Sequence, residues 1–397
     1  MKVLAIVPSA FCFGLQNMEL ALFSCLRRRM QCHFLTTRWT DGEFVRRLDE
    51  LGIAHTPTWL GMFSRRLDWL NLKMTAECLL RLPIAWRDFI RLYRSFRPDV
   101  VYLANHHEAI LLLPLLVWIR RKVVCHMHDP PPSNGFQKRS AWFWRKGVGR
   151  FLFISHDARE RMAAVAALGP ADAVVHNGVA VRPVHLPRRR DDRFIQRFGW
   201  PAGAVIFGIA GQIAVHKGHD DVIAAMEIAV RDNPDVRLVV GGRGDSDYVA
   251  QLHRLIAERH LADAVQFCGW LPDITAFYEA IDVLVLASRH DEGFGLVVAE
   301  AGERAVPAIV TRSGGVAEVV DDGITGLVTN RHAPAELAAA MLKLAGDSGL
   351  RLHLGRRARE KVAARFELAA QAAHVADWLE EVAPQPVRWS TEMSPGG

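Results

Sequence analysis

The sequence predicts an α/β protein built from two doubly wound domains that face each other across a cleft. Three observations lead there. The 397 residues exceed what one compact core holds and fit two ordinary domains. Short, largely continuous apolar runs rich in Val, Ile and Phe recur, as strands buried on both faces of a parallel sheet do. These runs alternate with helical patterns, which is the order that parallel sheets with crossover helices produce.

Taken in order, the first set of strands is expected at residues 3–7, 32–36, 100–103, 123–127, 151–154 and 173–175. The second set is expected at 205–210, 236–240, 265–268, 283–286, 308–310 and 326–328. Between them, residues 183–192 are rich in proline and charge and read as a linker. The expected division is therefore 1–184 for the first domain and 185–366 for the second. A C-terminal helix near 367–382 would pack back on the first domain, and a Pro/Ser/Gly-containing tail, 384–397, would be flexible. Ligands of such sheets bind beyond the C-terminal ends of the strands, so the chemistry is sought there.

Composition narrows the class. Half of the residues are apolar and 23% are charged, which suits a well-packed protein. The net charge of +6 hides a split, because residues 1–182 carry 26 Lys and Arg against 14 Asp and Glu, and residues 183–397 carry 23 against 29. Seven of the eleven tryptophans lie in the basic part, which points it toward an anionic surface or acceptor. The N-terminus lacks the pattern of a signal peptide, and the longest apolar run is broken by Pro114 and too short to span a membrane. Six cysteines without a C-x-x-C pair read as buried thiols in a reducing cytoplasm. No nucleic-acid-binding module is present.

Four loops carry candidate chemistry. After the strand at 283–286, Ser288 and Glu292 precede Gly293, Phe294, Gly295 and Leu296, where a helix opens. Its N-terminal amides and dipole would attract an anion. Glu300 is a lone carboxylate in an apolar stretch of that helix, and a buried carboxylate needs donors such as sugar hydroxyls. After the first strand of the second domain come Gly211, Gln212 and then Lys217 beside Gly218, a plausible diphosphate clamp ahead of a helix at 220–230. The Walker pattern is absent. A third loop holds Gly241, Gly242, Arg243 and Gly244, and lacks the G-x-G-x-x-G of dinucleotide dehydrogenases. A fourth holds Ser313, Gly314 and Gly315.

This ordered set, completed by Gly269, Trp270 and Leu271, by Pro307 and by Asp322 through Val328, resembles the second domain of the GT-B-fold glycosyltransferases of family 4, or group 1. The resemblance runs from about residue 207 to 345 and implies two Rossmann-like domains, a nucleotide-sugar donor (UDP- or GDP-linked) and transfer with retention. By that resemblance Lys217 contacts the diphosphate and Glu300 the ribose, while Glu292 and Gly293–Leu296 hold the sugar and distal phosphate. Gly14, Gln212, Gly242, Arg243, Leu271 and Phe294 join the donor site. No bound metal or other cofactor is implied. Gln212 stands where the family often has arginine, a difference worth about 1.5–3 kcal/mol of charge-assisted contact that Arg243 would have to make good.

The first half resembles the family more loosely. His128, after the strand at 123–127, matches the cleft histidine, and the catalytic set implied is His128, Lys217 and Glu292. Ser155, His176, Asn177 and Gly178 match landmarks before the linker. The usual Gly-Gly pair before a glutamate is replaced by Gln16 and Asn17 ahead of Glu19, leaving Gly14 to allow close approach. His106, His107, His126 and His128 follow neighbouring strands, but their pattern falls short of a metallohydrolase motif.

Two stretches mix aromatic and basic residues: one includes Arg65, Arg66 and Trp69, the other Trp142, Trp144, Arg145 and Lys146. They are candidates for an acceptor or for an anionic membrane surface. The expectation is a retaining glycosyltransferase, cytoplasmic or peripheral on the cytoplasmic membrane face, acting on a lipid-linked, lipopolysaccharide or other glycan acceptor. The alternatives are a non-catalytic nucleotide-sugar-binding protein or a same-fold epimerase or phosphorylase. The oligomeric state stays open.

Overall fold

The structure is a computed structural model, and it describes residues 1–8, 12, 14–61, 69–128, 135–183, 190–271 and 273–384. Arg65, Arg66, most of the linker and the tail from 385 onward lie outside the described residues.

Two parallel sheets form. The first contains β1 (Lys2–Ile6), β2 (Gln31–Thr37), β3 (Ala54–Thr58), β4 (Val100–Leu103), β5 (Val123–Met127), β6 (Arg150–Phe153) and β7 (Ala173–Val174), in the order β3-β2-β1-β4-β5-β6-β7. The second contains β8 (Val205–Ile213), β9 (Val236–Gly244), β10 (Val265–Gly269), β11 (Val283–Leu286), β12 (Ala308–Thr311) and β13 (Gly326–Thr329), in the order β10-β9-β8-β11-β12-β13. Every residue of β4, β5, β11 and β12 is buried, which explains their uninterrupted apolar runs. In both sheets the strand order reverses beside the first strand, at β1/β4 and at β8/β11. Crevices open at such switch points, and here the two face each other.

Three features depart from the expected elements. Strand β3, Ala-His-Thr-Pro-Thr, is an added edge strand whose polar residues and proline give no apolar run. Strands β8 and β9 continue past the expected ends, pairing Gly211 with Gly242 and Gln212 with Arg243, so two of the anticipated loops are paired strand. Glycine makes this possible: Gly242 has φ 140°, and a Cβ there would stand 1.8 Å from the Gly211 carbonyl oxygen. The helix after Lys217 runs His219–Asp232, slightly longer than expected.

The C-terminal helix Leu368–Val382 returns to the first domain. Its Ala372, Val375, Ala376 and Leu379 share a core with Val3, Ala5 and Phe23, and the Trp378 indole donates to the Ala171 carbonyl at 2.8 Å. The return is pinned where Val179 donates to Phe366 and Leu368 donates back to Val179, against Gly178, which has no room for a side chain. No helix among the described residues is long and apolar enough to cross a membrane.

Candidate active site

A cavity of about 460 Å³ lies between the facing strand ends, walled by both domains. A larger groove of about 980 Å³, beside Trp118, Arg121 and Arg150, sits at the opposite ends of the first sheet's strands and has no carboxylate in its lining. The chemistry therefore belongs to the smaller cavity.

Lys217 reaches it from a single helical turn after β8, Val215–Lys217. Gly218 closes that turn at φ 69°, and a Cβ there would meet the Ala287 carbonyl at 2.1 Å, so glycine is required. The Lys217 ammonium lies 2.6 Å from Oε1 of Glu292, to which the Ser288 hydroxyl also donates. Glu292 stands in the loop between β11 and the helix Leu296–Glu303, whose N-cap is Gly295 at φ 86°. Gly293 packs under the His128 carbonyl, where a Cβ would come within 2.5 Å. The Ser313–Gly315 loop has a supporting role, because the Gly315 amide donates to the Glu292 carbonyl at 2.9 Å.

Glu300 lies one turn into the same helix and lines the cavity. Burial pushes its carboxyl up to about 7, against the lowering effect of the Tyr278 hydroxyl that donates to it at 2.7 Å. Gly14 opens the helix Gly14–Leu26 and lines the cavity, as do Gln212, Gly242, Leu271, Phe294 and Leu296. Arg243 does not: it is exposed and its guanidinium stacks on Trp270, 4.8 Å from the ring centre. With its guanidinium on Trp270 and outside the cavity lining, it does not stand in for the missing arginine. His128, at the end of β5, is buried beside the cavity, with Nε2 3.0 Å from Oε1 of Glu19.

The structure thus brings Gly14, His128, Gln212, Lys217, Gly242, Leu271, Gly293, Phe294, Gly295, Leu296, Glu292 and Glu300 to one cavity. It separates the aromatic–basic residues. Trp144 is fully buried, packed with Phe151 and His106, which removes it from any acceptor or membrane surface. Trp142 is 61% exposed and carries the Lys146 ammonium 3.7 Å above its ring, while Arg145 reaches the Ala167 carbonyl. Trp69 begins the helix Trp69–Phe96, but its side chain is outside the described residues. On that helix Phe89 is core, and among the described side chains Leu79, Leu80 and Ile84 are exposed.

Sequence reasoning missed Tyr102 and Tyr278, the pairing of His126 with Tyr102, and the role of Glu318. Glu318, from the second domain, accepts from the first two amides of the helix His156–Ala163 in the first domain, at 3.0 Å each, and from His176 at 2.8 Å. Beside it, Asp291 is held by Arg161 of the first domain and Arg331 of the second. Burial alone would raise the Glu318 carboxyl, but His176 and the amides of Asp157 and His156 outweigh it and bring it down to about 2. A lowered carboxylate stabilises the paired state above its unfolded value near 4.5, and that contribution is lost as pH falls toward 2. The contribution of the interdomain contact should therefore weaken progressively as pH drops from about 4.5 toward 2. Thermal melts of the wild type and Glu318→Gln as a function of pH check this, with the variant expected to lose most of that acid limb.

Residues 190–361 match the family described as glycosyl transferases group 1. The D-inositol 3-phosphate glycosyltransferase of Corynebacterium kroppenstedtii is 28% identical over 200 residues, 49% of this chain and 44% of that protein. The lipopolysaccharide core biosynthesis mannosyltransferase LpcC of Rhizobium leguminosarum bv. viciae is 30% identical over 205 residues, 51% of this chain and 57% of that protein. The chain thus spans about half the length of these curated relatives. Among solved structures, Anabaena Alr3699/HepE in complex with UDP-glucose superposes with a TM-score of 0.79 at 20% identity, covering 96% of this chain and 100% of that one. The facing pair of doubly wound sheets is thus the GT-B architecture, and residues 190–361 of its second half match the group 1 glycosyl transferases.

Proposed function

We propose that this protein is a retaining glycosyltransferase of the hexosyltransferase type, moving a sugar from a UDP- or GDP-linked donor to a lipid-linked, lipopolysaccharide or other glycan acceptor. The observation that carries the reading is the convergence of Lys217, Glu292, Glu300 and His128 on one interdomain cavity. Lys217 and the helix N-terminus at Leu296 supply positive charge where a diphosphate would leave, so no metal is invoked. Glu292 and His128 lie where the donor sugar would be held, and Glu300 where ribose hydroxyls would donate. In a retaining transfer the acceptor hydroxyl attacks from the face the diphosphate leaves, and a phosphate oxygen takes its proton. The UDP-glucose bound by the Anabaena neighbour and the lipopolysaccharide-core name of the Rhizobium relative support the donor and acceptor classes.

The test is a nucleotide-release assay with UDP- and GDP-sugars, preceded by thermal shifts with UDP and GDP. A bound nucleotide at about 100 times its Kd should stabilise the fold by about 2.7 kcal/mol. Absence of both the shift and nucleotide release would overturn the reading.

The membrane part of the proposal rests on the first domain. Trp118 is 88% exposed next to Arg120, Arg121 and Lys122, and Trp142 and Phe143 are exposed next to Arg145 and Lys146. Apolar rings beside basic groups suit an anionic interface. Sedimentation with anionic vesicles is expected to weaken with added salt and with Trp142→Ala/Lys146→Ser. Binding indifferent to both would sink this part.

A further inference from the structure

Behind the cavity, four buried side chains form a polar chain at the switch point of the first sheet. Glu19 comes from the helix Gly14–Leu26, Tyr102 from β4, and His126 and His128 from β5 and its end; Glu19 and Tyr102 are 0% exposed, His126 2% and His128 9%. The Tyr102 hydroxyl is 2.8 Å from Oε1 of Glu19 and 2.6 Å from Nδ1 of His126. The rings of His126 and His128 lie 4.0 Å apart, and Nε2 of His128 is 3.0 Å from the same Glu19 oxygen, at an angle too oblique for a full hydrogen bond.

Proton counting orders this chain. Tyr102 has a single hydroxyl proton, and a carboxylate is the stronger acceptor, so Tyr102 donates to Glu19. It must then accept from His126, whose Nδ1 carries that ring's proton. Burial, with His128 alongside, holds His126 well below its ordinary value, so it is neutral, and its Nε2 is left as a lone pair with no partner among the described residues. The second oxygen of Glu19 is likewise without a partner among them. Burying such groups incompletely paired is costly, and an apolar set would stabilise the core better. The arrangement makes sense if the carboxylate serves His128, which sits at the cavity with its carbonyl against Gly293.

We infer that Glu19, fixed by Tyr102, is a positioning residue that holds His128 in its Nε2–H tautomer and in one orientation at the cleft. The His128 proton then points back to Glu19, and Nδ1 is the acceptor. A small rotation of the ring aligns the 3.0 Å contact as a hydrogen bond. Beside Glu19, Tyr102 and His126 on its own side, the charged or titratable groups that line the same cavity as His128 are Cys12, Glu43, Arg47, Lys217, His219, Glu292 and Glu300. Of these only Glu19 makes a polar contact with the ring among the described residues.

The inference rests on the transferase reading for its kinetic consequence, but the tautomer is measurable without turnover. The ¹⁵N resonances of the His128 ring in the intact protein should report Nε2–H in the wild type and a mixture of tautomers in Glu19→Gln. On the transferase reading, Glu19→Gln should lower kcat by about 10²-fold through misplacement, with the donor KM nearly unchanged. The same change in a His128→Ala background should have no further effect. Tyr102→Phe, which keeps the carboxylate, should lower kcat less and serves if Glu19→Gln does not fold.

An Nδ1–H tautomer in the wild type, an unchanged kcat in Glu19→Gln, or additive losses in the double variant would overturn the inference. So would a melting temperature that falls on dialysis against EDTA and recovers with Zn²⁺, because Glu19, His126 and His128 would then be metal ligands. If no sugar transfer is found but the tautomer shifts as expected, the pairing stands and only the transferase reading falls.

Discussion

Replacing Lys217 with alanine is expected to cut turnover by about 10²–10³-fold while the protein stays folded. The ammonium is the cation whose contact with Glu292 the structure records in the cavity, and one lost donor to a developing anion has that order of effect. Little stability should go with it. Lys217 sits on a single turn at a strand end, its side chain 25% exposed, and Glu292 keeps the Ser288 hydroxyl. The kinetic loss has two parts, because removing the ammonium also leaves the Glu292 carboxylate facing the position proposed for the diphosphate. Lys217→Ala/Glu292→Gln should therefore bind UDP or GDP more tightly than Lys217→Ala alone. Lys217→Arg keeps the charge on a planar fork and should recover only part of the rate. Steady-state kinetics and nucleotide titrations check these outcomes, and near-normal turnover in Lys217→Ala would remove the residue from the site.

Glu300→Gln should do opposite things to stability and to binding. A carboxyl raised to about 7 by burial contributes stability fully present below its unfolded value near 4.5 and lost as pH rises through about 7. The free protein should thus weaken across that interval by about 3 kcal/mol at most, and Glu300→Gln should be flatter with pH and more stable than wild type at pH 8. Hydroxyls that donate to the carboxylate favour its charged form, so nucleotide binding near neutral pH should release a proton. The neutral amide loses those charge-assisted bonds, and affinity should fall by about 10–100-fold. Calorimetry in buffers of different ionisation enthalpy checks the proton release, and denaturant melts at pH 5 and 8 check the stability. A variant less stable than wild type at pH 8 would contradict the assignment of Glu300 as a destabilised charge.

The second domain was the more legible half. Its strands are built on largely apolar runs, and its loops announce themselves through glycines that the backbone needs, at Gly218 against Ala287 and at Gly295 with positive φ. Where legibility failed, the cause was pairing between strands. Gly211 and Gly242 read as loop ends because glycine interrupts an apolar run, yet Gly242 leaves room for the Gly211 carbonyl and lets the two strands continue. In the first domain, β3 has no apolar signature because an edge strand need not be buried on both sides. Trp144 shows the converse error. Its neighbours Arg145 and Lys146 suggested a surface, but helical spacing turns Trp142 outward and Trp144 into the core.

By itself, then, the sequence determined what is local: which runs are buried strands, which glycines shape the turns after β8 and β11, and which isolated carboxylate, Glu300, is set among apolar residues. Periodicity and steric need for glycine act over a few residues, so they can be read along the chain. Only the tertiary structure decided what meets across the cleft. Tyr102 lies 83 positions from Glu19, and Glu318 lies 162 from His156, and no local pattern links either pair. Each is joined because the reversal of strand order at β1/β4 and the facing of the two sheets bring the ends of separate strands and helices to one place.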